Sequence, residues 1–345
     1  LREGVPWVRF NPESGEVEKI VNCEGEVRTV TAQDFVYGIE RTLRPGTASS
    51  YAFLMNRIVK GAAAYNAGET DNFANVGFRA ADDQTIIVSL AESSAYTLNI
   101  LSLWMMRAEP RWAIEGDACN DGEGESWTEA GVYPSYGPFA LKSWTHDAEL
   151  TLIRNPFWVG TEAIPEPQID EIVTLMISET NAIAEYEAGN LDYAIVPFSD
   201  YDRLTSVAAL ADALIEKPLN IGTEAVLFNH LLAPTDDVRV RRALSLAIDR
   251  EAIVTALKSG TTALFWIHPN AIGAPGKTFA PGFGVKSNNA SAKALINAYC
   301  ADHGITPDEL TVTYYFSSGD LHQVRAELLA AMWETTLGIH VKLEN

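Results

Sequence analysis

Asp236-Asp-Val-Arg-Val-Arg-Arg-Ala-Leu-Ser-Leu-Ala-Ile-Asp-Arg250 is the stretch from which the rest of this 345-residue chain can be read. Val240, Ala243, Leu244, Ala247 and Ile248 recur at helical spacing and form one apolar face. Asp236 or Asp237 can cap the start, because a carboxylate there accepts unpaired first-turn N–H groups. Arg239, Arg241 and Arg242 stand where the helix dipole disfavours cations. Ion pairing with the neighbouring aspartates accounts for them more simply than a bound anion does.

Outward from this helix, strands and helices alternate. Thr31 is placed to cap a helix whose Phe35, Ile39 and Leu43 share a face, and Pro45-Gly46 ends it. The segment 11–30 reads as a hairpin or surface insertion, 76–80 and 85–90 as a hairpin turning at Asp82-Asp83, and 96–106 as an apolar helix. Strands are expected at 149–154, 169–176, 191–196, 224–229, 310–316 and 338–343. Helices are expected at 179–188, 250–258, 289–303 and 321–336. That alternation predicts α/β architecture with sheets covered on both faces.

The bulk numbers narrow the function. A chain of this length is expected to hold two or three domains. Composition is that of a globular protein, 47% hydrophobic and 21% charged. A net charge of −21 argues against nucleic acid and against an anionic membrane surface. The apolar run 98–106 is broken by Asn99 and Ser102 and is too short to span a bilayer. Leu1-Arg-Glu-Gly-Val-Pro-Trp7 reads as the interior of a fold, so a fragment is expected. Cys23, Cys119 and Cys300 lack zinc spacing and admit either one disulfide or three thiols.

Catalytic constellations are scarce. The six histidines form neither H-E-x-x-H nor a close pair, and there is no G-x-S-x-G elbow. Gly273-Ala-Pro-Gly-Lys-Thr278 resembles the end of a phosphate loop, but Ala271 replaces the first glycine and Pro275 stiffens the turn. Gly282-Phe-Gly284 lacks the third glycine of a dinucleotide fingerprint. Asp117, Asp121 and Gly122 fall at calcium-loop offsets, yet Cys119 occupies a ligand position and Thr128 stands where a bidentate glutamate is needed, so 116–131 reads as an exposed loop. No metal and no cofactor is expected. Aromatic residues concentrate in polar loops, namely Trp7, Tyr51, Trp104, Trp127, Tyr133, Tyr136, Trp158 and Trp266, and rings in loops suit ligand binding as well as domain-edge packing.

In order along the chain, these motifs resemble family 5 of the ABC-transporter solute-binding proteins, which bind dipeptides, oligopeptides or nickel. Val30-Thr-Ala-Gln-Asp-Phe-Val-Tyr37 resembles the family's "VTA-x-DF" helix start, and Tyr136-Gly-Pro-Phe-Ala-Leu-Lys-Ser-Trp144 its "GPF-x-L-x-x-W" segment. Leu152-Ile-Arg-Asn-Pro-Phe-Trp158 is similar to "L-x-x-NP-x-W", Ala188-Gly-Asn-Leu-Asp192 to "aGelD", and the opening stretch to "vRrAls-AiDR". Ser50-Tyr-Ala52, Gly124-Glu-Ser-Trp-Thr128 and Ser318-Gly-Asp-Leu-His322 lean toward the oligopeptide branch.

The resemblance implies a two-lobed periplasmic-binding-protein-like (type II) α/β fold with an additional family-specific α/β domain. It places that extra domain at 1–132, part of lobe I at 133–229 and the start of lobe II at 230–345, truncated at both ends relative to the family. It implies a monomeric non-enzyme at the periplasmic or extracellular face of the membrane, free or lipid-anchored, that hands a captured peptide to ABC-transporter permease subunits. By resemblance, ligand-lining residues include Ile195, Val196, Glu224 and Ala225, with Tyr51 and Tyr136 as aromatic candidates. The arginines at 239–242 would then pin the crossing into lobe II. The rival readings are a secreted hydrolase working with paired carboxylates, and a binder of a nickel chelate or a sugar.

Overall fold

Capping chemistry written into the sequence sets several of the helix starts. The computed structural model describes residues 1–215, 223–258 and 284–345, which divide into two units, Leu1–Ile177 and Ser178–Asn345. The phosphate-loop-like stretch 273–278, the glycine at 282, Trp266 and His268 lie outside the described residues.

In the first unit, β1 (Val8–Asn11) and β2 (Glu16–Lys19) form an antiparallel hairpin that begins before the segment 11–30 read as one and shares only its first part. Val8 exchanges backbone hydrogen bonds with Ser135 at 2.8 and 2.7 Å, and it packs with Phe10, Val17 and Ala140 in a small core. Helix α1 (Ala32–Leu43) starts at Thr31, whose N–H (2.8 Å) and hydroxyl (3.1 Å) both donate to the Asp34 carboxylate. Ile39 and Leu43 enter a second core, with Phe35 packed against it. Helices α2 (Ala52–Ile58) and α3 (Ala62–Asn66) and the antiparallel hairpin of β3 (Phe78–Asp82) and β4 (Thr85–Val88) complete that core. Gly61 precedes α3 with φ of 76°, and a Cβ there would lie 2.4 Å from the Asn75 carbonyl oxygen, so any side chain is excluded twice over.

The helix expected over 96–106 is broken. Helix α4 covers only Thr97–Leu101, and a 3-10 turn follows at Trp104–Met106. Ser102 donates both its N–H (3.3 Å) and its hydroxyl (2.8 Å) to the Asn99 carbonyl, a local bond that competes with helix continuation, and Leu103 leaves extended. After α5 (Arg111–Ile114), the strands β5 (Phe139–Thr145), β6 (Glu149–Arg154) and β7 (Glu171–Leu175) form an antiparallel sheet in that order. The link 146–148 is far too short for a parallel crossover.

The second unit opens with α6 (Glu179–Glu187), capped by Ser178, followed by α7 (Tyr201–Ser206) and α8 (Ala208–Ala213). The strands expected at 191–196 and 224–229 do not form. Neither segment has a ladder partner among the described residues, and without one a β-prone run stays irregular. Helix α9 (Val238–Leu246) is the opening stretch, and its predicted apolar face is buried in full. Helix α10 (Arg250–Leu257) is capped by Asp249 and α11 (Asn289–His303) by Asn288, each accepting from an N–H at 3.0 Å. The chain closes with β8 (Thr311–Tyr315), α12 (Asp320–Leu337) and β9 (His340–Glu344). β8 and β9 are parallel and joined through α12, the one parallel pair among the described residues. The alternation of strands and helices thus yields a βαβ unit here and antiparallel ladders in the first unit.

The carbonyl end of α9 locks this core. The last four carbonyls of a helix have no partner within it. Ala243 O accepts from Ala247 N–H (3.0 Å), Leu244 O from the Trp333 indole N–H (2.9 Å), Ser245 O from Arg250 (3.4 Å) and Leu246 O from Asn288 N–H (2.8 Å). Donors from the helix end itself and from the starts of α10 and α11, together with one from α12, converge on one turn.

Candidate ligand-binding site

The acidic loop after α5 is shaped by its own chemistry. Asp117 accepts from the N–H groups of Cys119 (2.8 Å) and Asn120 (3.1 Å), and its other oxygen binds Arg28 at 2.5 Å. The carboxylate is therefore occupied by protein donors. Cys119 is joined by a disulfide to Cys23, and Cys300 is buried as a free thiol. That resolves the cysteine alternatives in favour of one bridge. Cys23, Glu24 and Cys119 are also the one metal-ligand-sized cluster among the described residues, and its two sulfurs are bonded to each other. Arg28 additionally stacks over Trp112 at 4.4 Å.

Of the aromatic candidates in the first unit, Tyr51 is 41% exposed and meets the exposed Trp104 edge to face at 5.0 Å. Tyr136 is turned inward. Its hydroxyl accepts from Ala108 N–H at 3.1 Å, its ring meets Trp7 at 4.9 Å, and burial pushes its phenol up. Burial likewise raises Asp34 and Glu109, and Arg41 at 3.2 Å offsets the effect on Glu109.

In the second unit, Ile195 is exposed and Val196 half-buried. Ala225 is exposed, and Glu224 holds Arg325 of α12 at 3.0 Å. Among the described residues, no hydrogen bond links Ile195 or Val196 to Glu224 or Ala225. Among the described residues, 191–196 and 224–228 form no backbone–backbone hydrogen bond with each other. The Glu224–Arg325 pair has no local signature, because its members lie 101 positions apart.

Two arginines of α9, Arg239 and Arg241, pin the chain at the helix entry. Arg239 binds Asp237 (2.7 Å) and Asp302 (2.6 Å), and Arg241 donates to the carbonyls of Thr235 and Asp236, both at 2.8 Å. A depression of about 290 Å³ lined by Ala233, Asp236, Asp237, Tyr299 and His303 lies beside this entry. The Arg239 guanidinium, then the Arg239 N–H, hold the Asp237 carboxyl down to about 2. A depressed folded-state value contributes stability above the ordinary carboxylate value and loses it as pH falls through about 2. Asp237→Asn should therefore lower the urea midpoint at pH 7, with the gap to wild type closing between about pH 4 and pH 2. A pH-independent gap would show that the charge is not the cause.

No helix among the described residues is long and apolar enough to cross a membrane. A model of the family described as bacterial extracellular solute-binding proteins, family 5 Middle, matches residues 25–345. The chain is 31% identical over 327 residues to the periplasmic oligopeptide-binding protein OppA of Escherichia coli, covering 92% of this chain and 56% of that protein. With the periplasmic oligopeptide-binding protein OppA of Salmonella typhimurium it is 30% identical over 369 residues, covering 98% and 63%. The chain thus spans less than two thirds of the length of these relatives. Among solved structures, that of the Escherichia coli murein tripeptide binding protein MppA matches with a TM-score of 0.76 at 26% identity, covering 99% of this chain and 68% of that one. The mixed α/β fold is shared with these binding proteins.

Proposed function

Because the chain belongs to the bacterial extracellular solute-binding proteins of family 5, a family of binders and not of enzymes, we propose that the protein captures peptides, oligopeptides in particular, between two lobes and delivers them to an ABC-transporter permease at the outer face of the membrane. In this reading 1–132 is a family-specific domain, 133–229 is part of lobe I and 230–345 begins lobe II. The observation that carries it is the match to two oligopeptide-binding proteins along 92% and 98% of the chain. By the resemblance, Ile195, Val196, Glu224 and Ala225 would line the ligand through backbone pairing and side-chain pockets, with Tyr51 and Tyr136 as aromatic candidates.

Incubation of the full-length protein with a defined peptide mixture, followed by native mass spectrometry, tests the reading. Stoichiometric retention of intact peptides is expected. Cleavage products would replace it with the hydrolase, and retention of a nickel chelate or sugar in preference to every peptide would replace the ligand class.

A further inference from the structure

Two segments of the first unit meet at the Cys23–Cys119 bridge, and each is shaped by contacts of its own. Asn22 folds the turn at 22–26, its side-chain oxygen accepting from the N–H groups of Glu24 (3.0 Å) and Glu26 (2.9 Å). In the facing loop the Asp117 carboxylate receives the Cys119 and Asn120 N–H groups, and the Asp117 N–H is bound to the Asn120 carbonyl at 2.9 Å. Gly122 closes that loop with φ of 80°, where a Cβ would lie 2.4 Å from the Gly116 nitrogen. Arg28, just beyond the turn, ties it to the loop through Asp117 and to the face of Trp112, and its side chain is only 13% exposed. These contacts keep the two cysteines opposed whether or not their sulfurs are bonded.

The Glu24 carboxylate completes the group. One of its oxygens and the two sulfurs all lie within 4.8 Å of one another. A tetrahedral zinc ion, bonded at about 2.3 Å to sulfur and about 2.0–2.2 Å to a carboxylate, needs ligand atoms about 3.5–4 Å apart. Cys23 and Glu24 are exposed, so a reductant and water both reach the site.

We infer that the bridge and a divalent ion of the zinc class are alternative occupants of one site, the ion being held by Cys23, Cys119 and Glu24 once the bridge is reduced. The reductant is a dithiol. Its first thiolate attacks the exposed Cys23 sulfur, and the Cys119 sulfur leaves as a thiolate stabilised by the Cys23 N–H at 2.8 Å. The second thiol of the reductant then displaces Cys23 and closes its own disulfide. Two electrons pass to the bridge, and the two protons of the dithiol pass to the cysteines. Zinc replaces those protons, takes Glu24 as its third ligand and keeps a water as the fourth. Neither occupant depends on peptide capture.

The test uses the full-length protein, reduced with dithiothreitol, desalted under argon and titrated with zinc chloride against a chromophoric chelator. Reduced wild type should take up one zinc per chain, and the oxidised protein should take up none. The C23S/C119S double variant should also take up none, whereas C300S should behave as wild type. A second-shell partner of a metal ligand is worth about tenfold to a hundredfold in affinity, so E24Q, which loses a ligand, should bind at least about tenfold more weakly. Cobalt(II) in place of zinc should give a thiolate-to-metal charge-transfer band in reduced wild type and reduced E24Q, and none in the double variant. Zinc should raise the Tm of the reduced protein and leave that of the oxidised protein unchanged, which places the ion on the folded chain. Uptake no greater after reduction than before would overturn the site. So would a charge-transfer band that survives in the double variant, an E24Q affinity equal to wild type, or a reduced-protein Tm that zinc does not move.

Discussion

Trp333→Ala is expected to lower the unfolding free energy by about 3–5 kcal/mol, the range for deleting a large buried ring. Trp333 is 1% exposed, and its ring packs among α9, α11 and β8. Among the described residues its indole N–H is also the only donor to the Leu244 carbonyl, so truncation leaves both a cavity and an acceptor without that donor at the end of α9. Trp333→Phe separates the two effects. It retains most of the apolar volume and loses the donor, and should cost about 1–3 kcal/mol. Urea unfolding followed by circular dichroism reads both. An unchanged midpoint in Trp333→Ala would mean that this core does not limit stability.

Loss of the Cys23–Cys119 bridge should cost about 2–4 kcal/mol, because a link across 96 positions removes much unfolded-state freedom. The bridge fastens the turn at 22–25 to the acidic loop, next to the Arg28–Asp117 pair and the Arg28–Trp112 stack. The paired substitution Cys23→Ser with Cys119→Ser should lower Tm to the value wild type shows in reductant. Cys300→Ser should leave the response to reductant intact, since Cys300 lies in the core of the second unit. Thiol titration of the unfolded, unreduced chain should find one thiol per molecule. Three would remove the bridge and the prediction with it.

How far the sequence could be read follows from the range of each interaction. Thr31 and Asp237 announce their helices because a cap and the N–H it receives lie within three positions. The buried face of α9 was equally plain, since its spacing alone defines it. At 96–106, hydropathy suggested one helix, but Ser102 closes on Asn99 and ends it, a local polar contact that hydropathy does not weigh. At 191–196 and 224–229 the β-prone residues are present, yet a strand is decided by its neighbour, which may lie anywhere in the chain. The candidate site depended most on such distant pairings. Glu224 was singled out by resemblance, but nothing near it pointed to Arg325, and nothing near Tyr136 showed that its hydroxyl is held by Ala108.

The carbonyl end of α9 also ties distant parts of the chain to one point. Arg250, which opens α10, is bound to the Ser245 carbonyl, and Asn288, which caps α11, to the adjacent Leu246 carbonyl. Ser287 adds a bond to Ile248, and Trp333 reaches the Leu244 carbonyl from α12. One helix turn thus fixes the starts of two helices and the seat of a third, so a substitution that frays it is transmitted to all three at once.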